Sequence, residues 1–221
     1  MQEDYTKVQD KPSKLFAEFI DILESFVYAI VVVVLVFTFL LRLSVVDGKS
    51  MDNTLSHGDY LVIANPFFLY QPKNGDIVVI DAGDAFGQYT EPIVKRIIAT
   101  EGQTVEFDTK NECVYVDGIL LEEDYAKYEM PERFKNLYNS TYDFHNGLYN
   151  TGHLFAKEGC YNNSTGILTV TVPEDHVFVM GDNRLDSADS RMKEIGFVHE
   201  DYIVGKAIFR LFPFSSIGGL Y

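Results

Sequence analysis

Hydrophobic positions along the 221-residue chain follow two regimes. From Ser25 to Leu41, 17 residues pass without a charged side chain, including the run Ile30-Val31-Val32-Val33-Val34-Leu35-Val36-Phe37. A membrane-spanning helix needs about 20 apolar residues, so the predicted span is 22–46, with Glu24 and Arg42 at its two interfaces. A polar tail, 1–21, precedes it, with Pro12 breaking any early helix. A cleaved signal peptide fits poorly, because the tail is long and acidic and no small-x-small site follows. A buried strand is the other reading that the valines invite, but strands are seldom so long.

Beyond residue 46 the pattern changes to short β-branched and aromatic runs broken by Gly, Asp, Asn and Pro, which predicts an all-β domain over 47–221. Expected strands are 60–64, 76–80, 92–99, 104–107 and 113–116, followed by an Asp117-Gly118 hairpin turn into 119–121. Later strands are expected at 166–172, 176–180 and 203–212. Between 122 and 165 alternation weakens and Tyr, Asn and Glu accumulate, as in an irregular or β insertion on the core. The expected fold class is therefore mostly β: an N-terminal transmembrane helix, then an antiparallel β-sheet domain with an inserted subdomain. At the carboxyl end, Phe212, Phe214 and Ile217 beside Pro213 and Gly218 leave two readings open, ordinary core or a rim resting on lipid.

Length and composition allow one substantial domain plus the anchor. A formal charge of -15 without a Lys/Arg cluster argues against a nucleic-acid partner and suits a solvated acidic surface. Cys113 and Cys160 lack the Cys-x-x-Cys spacing of zinc or redox sites, so no metal or cofactor is expected. Two arrangements of them stay open, a pair closing a loop (worth about 4 kcal/mol) or two buried thiols.

Three segments carry candidate chemistry: Gly48-Lys49-Ser50-Met51, Ile93-Val94-Lys95-Arg96-Ile97-Ile98, and Gly181-Asp182-Asn183-Arg184-Leu185-Asp186-Ser187-Ala188-Asp189-Ser190-Arg191. A serine hydroxyl needs a base to become a nucleophile, and none of the five histidines lies in a segment like that of a serine-protease triad. Lys95 is the better candidate. In a strand it shares a face with Ile93 and Ile97, and desolvation there lowers an ammonium pKa from about 10.4 toward the range a general base needs. Asp182, Arg184, Asp189 and Arg191 alternate in sign, as in a network that fixes a loop.

Together, the Ser50-Met51 pair just past a membrane segment, Lys95-Arg96, and the Gly181 to Arg191 segment resemble the type I signal peptidases. The resemblance implies that Ser50 is the nucleophile and Lys95 the base, that the Ser187 hydroxyl accepts from the lysine amine, and that Arg96 pairs with Asp182 and Arg191 with Asp189 as catalytic supports. It also implies that the Ser50 backbone N–H is an oxyanion donor; Gly48 stands where some members carry a second donor, a serine. Met51 is the expected lining of the substrate pocket. Two departures are Asn53, where the family commonly has proline, and Ala99-Thr100-Glu101-Gly102-Gln103 in place of a Gly-Leu-Pro-Gly-Asp turn.

The implied substrates are exported preproteins carrying signal peptides, cut after a small-x-small site through an acyl-enzyme. Nine positions, at most about 30 Å of extended chain, separate Leu41 from Ser50, so the nucleophile is expected near the bilayer surface. Lys7, Lys11 and Lys14 before the span, against Arg42 and Lys49 after it, favour a cytoplasmic amino end and a single-pass cell-membrane protein. The lipid bilayer and the export machinery are the further expected partners. Two alternatives compete with this reading: a non-catalytic relative that binds or assembles exported surface proteins, which the presence of both Ser50 and Lys95 disfavours, and a Ser-Lys autoprotease like the self-cleaving repressor domains, whose accompanying DNA-binding region has no counterpart here.

Overall fold

The computed structural model describes residues 14–65, 70–87, 90–108, 113–126, 161–162, 167–192 and 194–220. The chain divides into two units, Met1–Leu40 and Leu41–Tyr221. The first contains helix α1, Lys14–Phe39, whose segment Glu18–Phe39 is long and apolar enough to cross a membrane. Two side-chain bonds between residues four apart lie along it, Ser25 Oγ to the Asp21 carbonyl at 2.9 Å and Tyr28 hydroxyl to Glu24 at 3.1 Å. Four consecutive valines are held as helix here, against their strand preference, because a run this long satisfies its own backbone.

At the carboxyl end of the expected span the structure differs from the sequence expectation. Helix α1 stops at Phe39, and Leu41–Val45 form strand β1 of the second unit, paired from Leu41↔Ala64 to Val45↔Tyr60. Apolarity alone does not separate the last turn of a helix from a half-exposed strand, and Leu-Arg-Leu-Ser-Val fits both. The partner strand decides.

The second unit is built from antiparallel pairs. In chain order its strands are β1, β2 Tyr60–Ala64, β3 Ile77–Ile80, β4 Ile93–Thr100, β5 Thr104–Asp108, β6 Cys113–Val116, β7 Ile119–Leu120, β8 Tyr161–Asn162, β9 Ile167–Thr171, β10 His176–Met180, β11 Val198–His199, β12 Ile203–Phe212 and β13 Gly218–Gly219. The larger sheet runs β1-β2-β12-β3-β4-β10-β11, with β13 on β12; the smaller runs β7-β6-β5-β9-β8. Asp117 and Gly118, both with positive φ (52° and 76°), make the tight turn between β6 and β7 that this dipeptide favours.

Burial follows the period of two. In β5 and β6, Val105, Phe107, Val114 and Val116 face inward and their neighbours do not. Strand β3 is buried throughout because it serves two cores: Val78 and Ile80 pack with Ile97, Val177 and Val179, whereas Ile77 and Val79 pack with Met51, Leu55, Leu61 and Ile63. A third core joins the two sheets through Ile98, Phe107, Phe178 and Met180. Most of the insertion expected at 122–165, with Cys160, His145 and His153, lies outside the described residues; its ends appear as the segment 122–126 and strand β8.

Strand β12 can lie against β2 only because residue 205 has no side chain: a Cβ there would come 2.2 Å from the Ala64 carbonyl oxygen and 2.7 Å from an Ile63 methyl. Backbone cannot swing aside as a side-chain tip can. Gly205→Ala is expected to destabilise the domain by about 1–3 kcal/mol, read as a lower denaturant midpoint with unchanged slope.

Candidate active site

After β1 the chain enters a single turn in which Asp52 N donates to the Lys49 carbonyl (3.0 Å), and Thr54 N and Leu55 N donate to the Met51 carbonyl (3.1 and 2.8 Å). Met51 and Leu55, 1% and 0% exposed, fasten this turn into the core. Ser50, one residue before, stays half-buried. Met51 therefore departs from the expectation of a pocket wall. Its side chain is enclosed by the core residues Val46, Leu61, Ile63 and Ile77, because alternation around a tight turn sends it inward when Ser50 faces outward.

Lys95 sits in β4 opposite Val78, with Ile93 and Ile97 flanking it on the strand, and is 2% exposed. Its Nζ lies 2.8 Å from Ser50 Oγ and 2.9 Å from the Val94 carbonyl oxygen. Burial pulls the amine's pKa down from 10.5 to about 8; Asp189 and Asp182 oppose that pull, and Arg191 reinforces it. At that value an appreciable fraction of the amine is neutral near pH 7–8, able to donate one N–H to Val94 while its lone pair faces the serine hydroxyl.

The next residue points the other way. Arg96 makes a two-pronged bond to Asp182, Nε to Oδ1 at 2.9 Å and Nη2 to Oδ2 at 2.7 Å, and its Nη1 donates to the Gly75 carbonyl at 2.8 Å. Thr54 also donates its hydroxyl to Asp182. One carboxylate thus joins the strand of Lys95 to the turn of Ser50. A second pair, Arg191 to Asp189, has Nε and Nη2 each at 2.8 Å, and Gly181 N donates to the same carboxylate at 3.0 Å. Burial pushes the Asp189 carboxyl up, but Arg191 and the Gly181 amide outweigh it and hold the pKa below the ordinary value.

Residues 181–184 complete the cradle. Asn183 N donates to the Ser50 carbonyl (2.9 Å) and Asn183 Nδ2 to the Lys49 carbonyl (3.0 Å), so one residue grips both peptides next to the hydroxyl. Gly181 passes so close that a Cβ would lie 2.4 Å from the Ser50 carbonyl oxygen and 2.2 Å from Ser187 Oγ. Ser187 departs from the expectation of an acceptor for the lysine. Its Oγ is buried, near enough to Asp189 to help keep that carboxylate ionised, yet outside hydrogen-bonding geometry with any partner. The Val94 carbonyl takes the lysine N–H instead.

Asn183, Gly181 and Thr54 carried no assigned role in the sequence reading, although the first two stand inside the recognised segment. Asn53 also acquires a reason. Its φ is 96°, a conformation closed to proline and tolerated by asparagine, and its Nδ2 donates to the Tyr125 carbonyl at 2.9 Å. At the other departure, Gln103 Oε1 accepts from Thr100 N at 2.9 Å and closes the β4–β5 turn with a side chain. Among the described residues, no cluster of three or more His, Cys, Asp or Glu is placed to hold a metal ion.

A hydroxyl held against a buried, weakly basic amine on a β scaffold is the chemistry of Ser-Lys hydrolases, in which an amine replaces histidine as base. The pattern of a family described as "Signal peptidase, peptidase S26" matches residues 19–212. Signal peptidase I P of Bacillus subtilis subsp. natto is 33% identical over 209 residues, 92% of this chain and 96% of that one. Signal peptidase I T of Bacillus subtilis strain 168 is 30% identical over 217 residues, 98% of this chain and 97% of that one. A crystal structure of a signal peptidase I from Enterococcus faecalis V583 is 26% identical and covers 62% of this chain and 97% of that one, with a TM-score of 0.36.

The chain belongs to the signal peptidase family. It is a membrane-anchored serine endopeptidase that removes signal peptides from exported preproteins.

Because the folded state holds Lys95 with a pKa lowered from 10.5 to about 8, the unfolded chain binds more protons between those values and stability rises with pH across that window. Below it the full cost of burying the ammonium stands, about 3 kcal/mol at 1.36 kcal/mol per unit. Lys95→Met, similar in length and uncharged, is therefore expected to raise the unfolding free energy at pH 7 by up to about 3 kcal/mol. The gain should shrink above pH 8 and vanish by about pH 10.5, as urea titrations across pH will read.

Proposed function

We propose that Ser50 is the nucleophile and Lys95 the general base of this signal peptidase, and the observation that carries the assignment is the 2.8 Å contact between Ser50 Oγ and an Nζ that is almost wholly shielded from water. Neutral Nζ takes the hydroxyl proton as Oγ attacks the carbonyl carbon of the scissile peptide. Collapse of the tetrahedral intermediate passes that proton to the leaving amine and leaves an acyl ester on Ser50. A water, deprotonated by the same Nζ, then releases the acyl product and restores the hydroxyl. The Ser50 backbone N–H serves as oxyanion donor. Gly48 N points to His57 Nδ1 at 3.3 Å, so a second donor comes from elsewhere.

Arg96–Asp182 and Arg191–Asp189 act as supports, fixing the strand, the turn and the 181–191 loop around the reacting pair. Ser187 supports by packing on Gly181. Cleavage follows a small-x-small site of the preprotein.

The apolar helix is the membrane anchor, the catalytic unit that follows it lies on the outer side of the cell membrane, and the amino end is cytoplasmic. Contact of this unit with the lipid surface is supported by an exposed aromatic cluster. Tyr60, Phe212 and Phe214 stack edge to face, with centroids 5.9 and 5.5 Å apart, and Phe214 is 78% exposed. The export machinery, which delivers the precursors, is the remaining partner.

With a precursor bearing an Ala-x-Ala site and the full-length enzyme in detergent, Ser50→Ala and Lys95→Ala are each expected to abolish cleavage, by about a thousandfold or more. For the wild type, kcat/KM should climb about tenfold per pH unit in acid and level off near the lysine's value of about 8. Cleavage that survives in either variant, or an acid limb levelling near pH 6, would remove the amine from the mechanism.

A further inference from the structure

Residues 122–126 leave the edge hairpin after β7 and lie across the support network rather than away from it. Three contacts hold them there. Glu123 takes Arg184 in a two-pronged ion pair, Nη1 to Oε2 at 2.8 Å and Nη2 to Oε1, with the arginine side chain fully buried and the glutamate 8% exposed. The Tyr125 ring lies over the Arg96 guanidinium, 3.9 Å from carbon to ring centroid, with Arg184 on it at 5.9 Å. The Tyr125 carbonyl accepts from Asn53 Nδ2 at 2.9 Å.

Each contact falls on a different side of the site. Arg96 neighbours Lys95 and grips Asp182; Asn53 belongs to the turn that carries Ser50; Arg184 donates to the Gly181 carbonyl at 3.0 Å, in the loop that cradles Ser50. A planar guanidinium already bonded in its own plane has only its faces left, and an aromatic ring on one face both attracts the charge and excludes water from the Asp182 bond beneath. We infer that Tyr125 is a positioning residue for signal-peptide cleavage, the centre of a strap that fixes Arg96 and the Ser50 turn in one register by stacking on the first and hydrogen-bonding the second.

The inference rests on the Ser50–Lys95 assignment, since the strap touches neither reacting atom. Burial pushes the Tyr125 hydroxyl up to about 12, with Glu123 adding to the rise and Arg184 and Arg96 opposing it, so the ring stays neutral at every working pH. Its role is geometric. A register error of a few tenths of an ångström between Oγ and Nζ lowers the rate of proton transfer and attack while leaving substrate affinity alone.

The test uses the full-length enzyme, the same Ala-x-Ala precursor, and the variants Tyr125→Leu, Tyr125→Phe, Asn53→Ala and the double Asn53→Ala/Tyr125→Leu. Tyr125→Leu is expected to lower kcat about tenfold with KM unchanged, and Tyr125→Phe, which keeps the ring, to stay within about twofold of wild type. Because both ends act through one strap, the double variant should be hardly slower than Tyr125→Leu alone. Wild-type kcat in Tyr125→Leu, a change confined to KM, or equal losses in the Leu and Phe variants would each overturn the proposal. Ser50→Ala and Lys95→Ala run alongside. If they cleave, the assignment beneath fails; if they are dead while Tyr125→Leu is fully active, only the strap fails. Circular dichroism and a thermal midpoint on each variant confine the comparison to folded protein.

Discussion

Keeping one amine out of water is the constraint to which the rest of the catalytic unit answers. An ammonium loses several kcal/mol of hydration when buried, and among the described residues no carboxylate bonds Lys95 directly. Its bonds go to a neutral hydroxyl and a neutral carbonyl. Asp182 and Asp189 stand near enough to raise its pKa, but each is occupied by its own arginine, so neither neutralises the lysine charge. A carboxylate bonded directly to Nζ would restore the ordinary pKa and leave no lone pair for the serine.

That arrangement explains why buried charge is concentrated around a site of modest size. Arg96, Asp182, Arg184, Asp189 and Arg191 are all nearly inaccessible to solvent, a costly grouping unless each is paired and hydrogen-bonded. Removing one partner would strand an uncompensated charge, so the network is rigid as a unit. Its rigidity is passed to Ser50 and Lys95 through short links: Arg96 is the residue after Lys95, Thr54 lies one turn beyond Ser50, and Asn183 holds the two carbonyls at Lys49 and Ser50. The glycine at 181 allows this loop to come within touching distance of the Ser50 backbone.

The β architecture supplies the straight edge on which these links are set. Strand alternation sends Lys95 and Arg96 to opposite sides of β4, which separates the buried amine from the guanidinium that pairs with Asp182. The neighbouring strands β3 and β10 are buried along nearly their whole length, so β4 is central in its sheet and has little freedom to shift its register. A lysine carried on a loop would lack that fixity.

Much of this was readable in the residues before any coordinates. The two hydrophobic periods separated an apolar helix from a β domain, because alternation and long uncharged runs are local properties of the chain. The strands at 203–212, 176–180 and 60–64 fall where expected for the same reason. The face of Lys95 followed from counting by twos. What the sequence could not decide was every outcome that depends on which partner arrives first or fits best. Leu41–Val45 became a strand because β2 offers it hydrogen bonds; Met51 became core because the turn that aims Ser50 outward turns the next side chain in; and the lysine amine bonds the Val94 carbonyl and not the Ser187 hydroxyl. Tyr125 is the clearest case. Nothing in its local sequence marks it, and only the return of 122–126 across the sheet sets its ring on Arg96, 29 residues away along the chain, because long-range contacts are chosen by packing and not by composition.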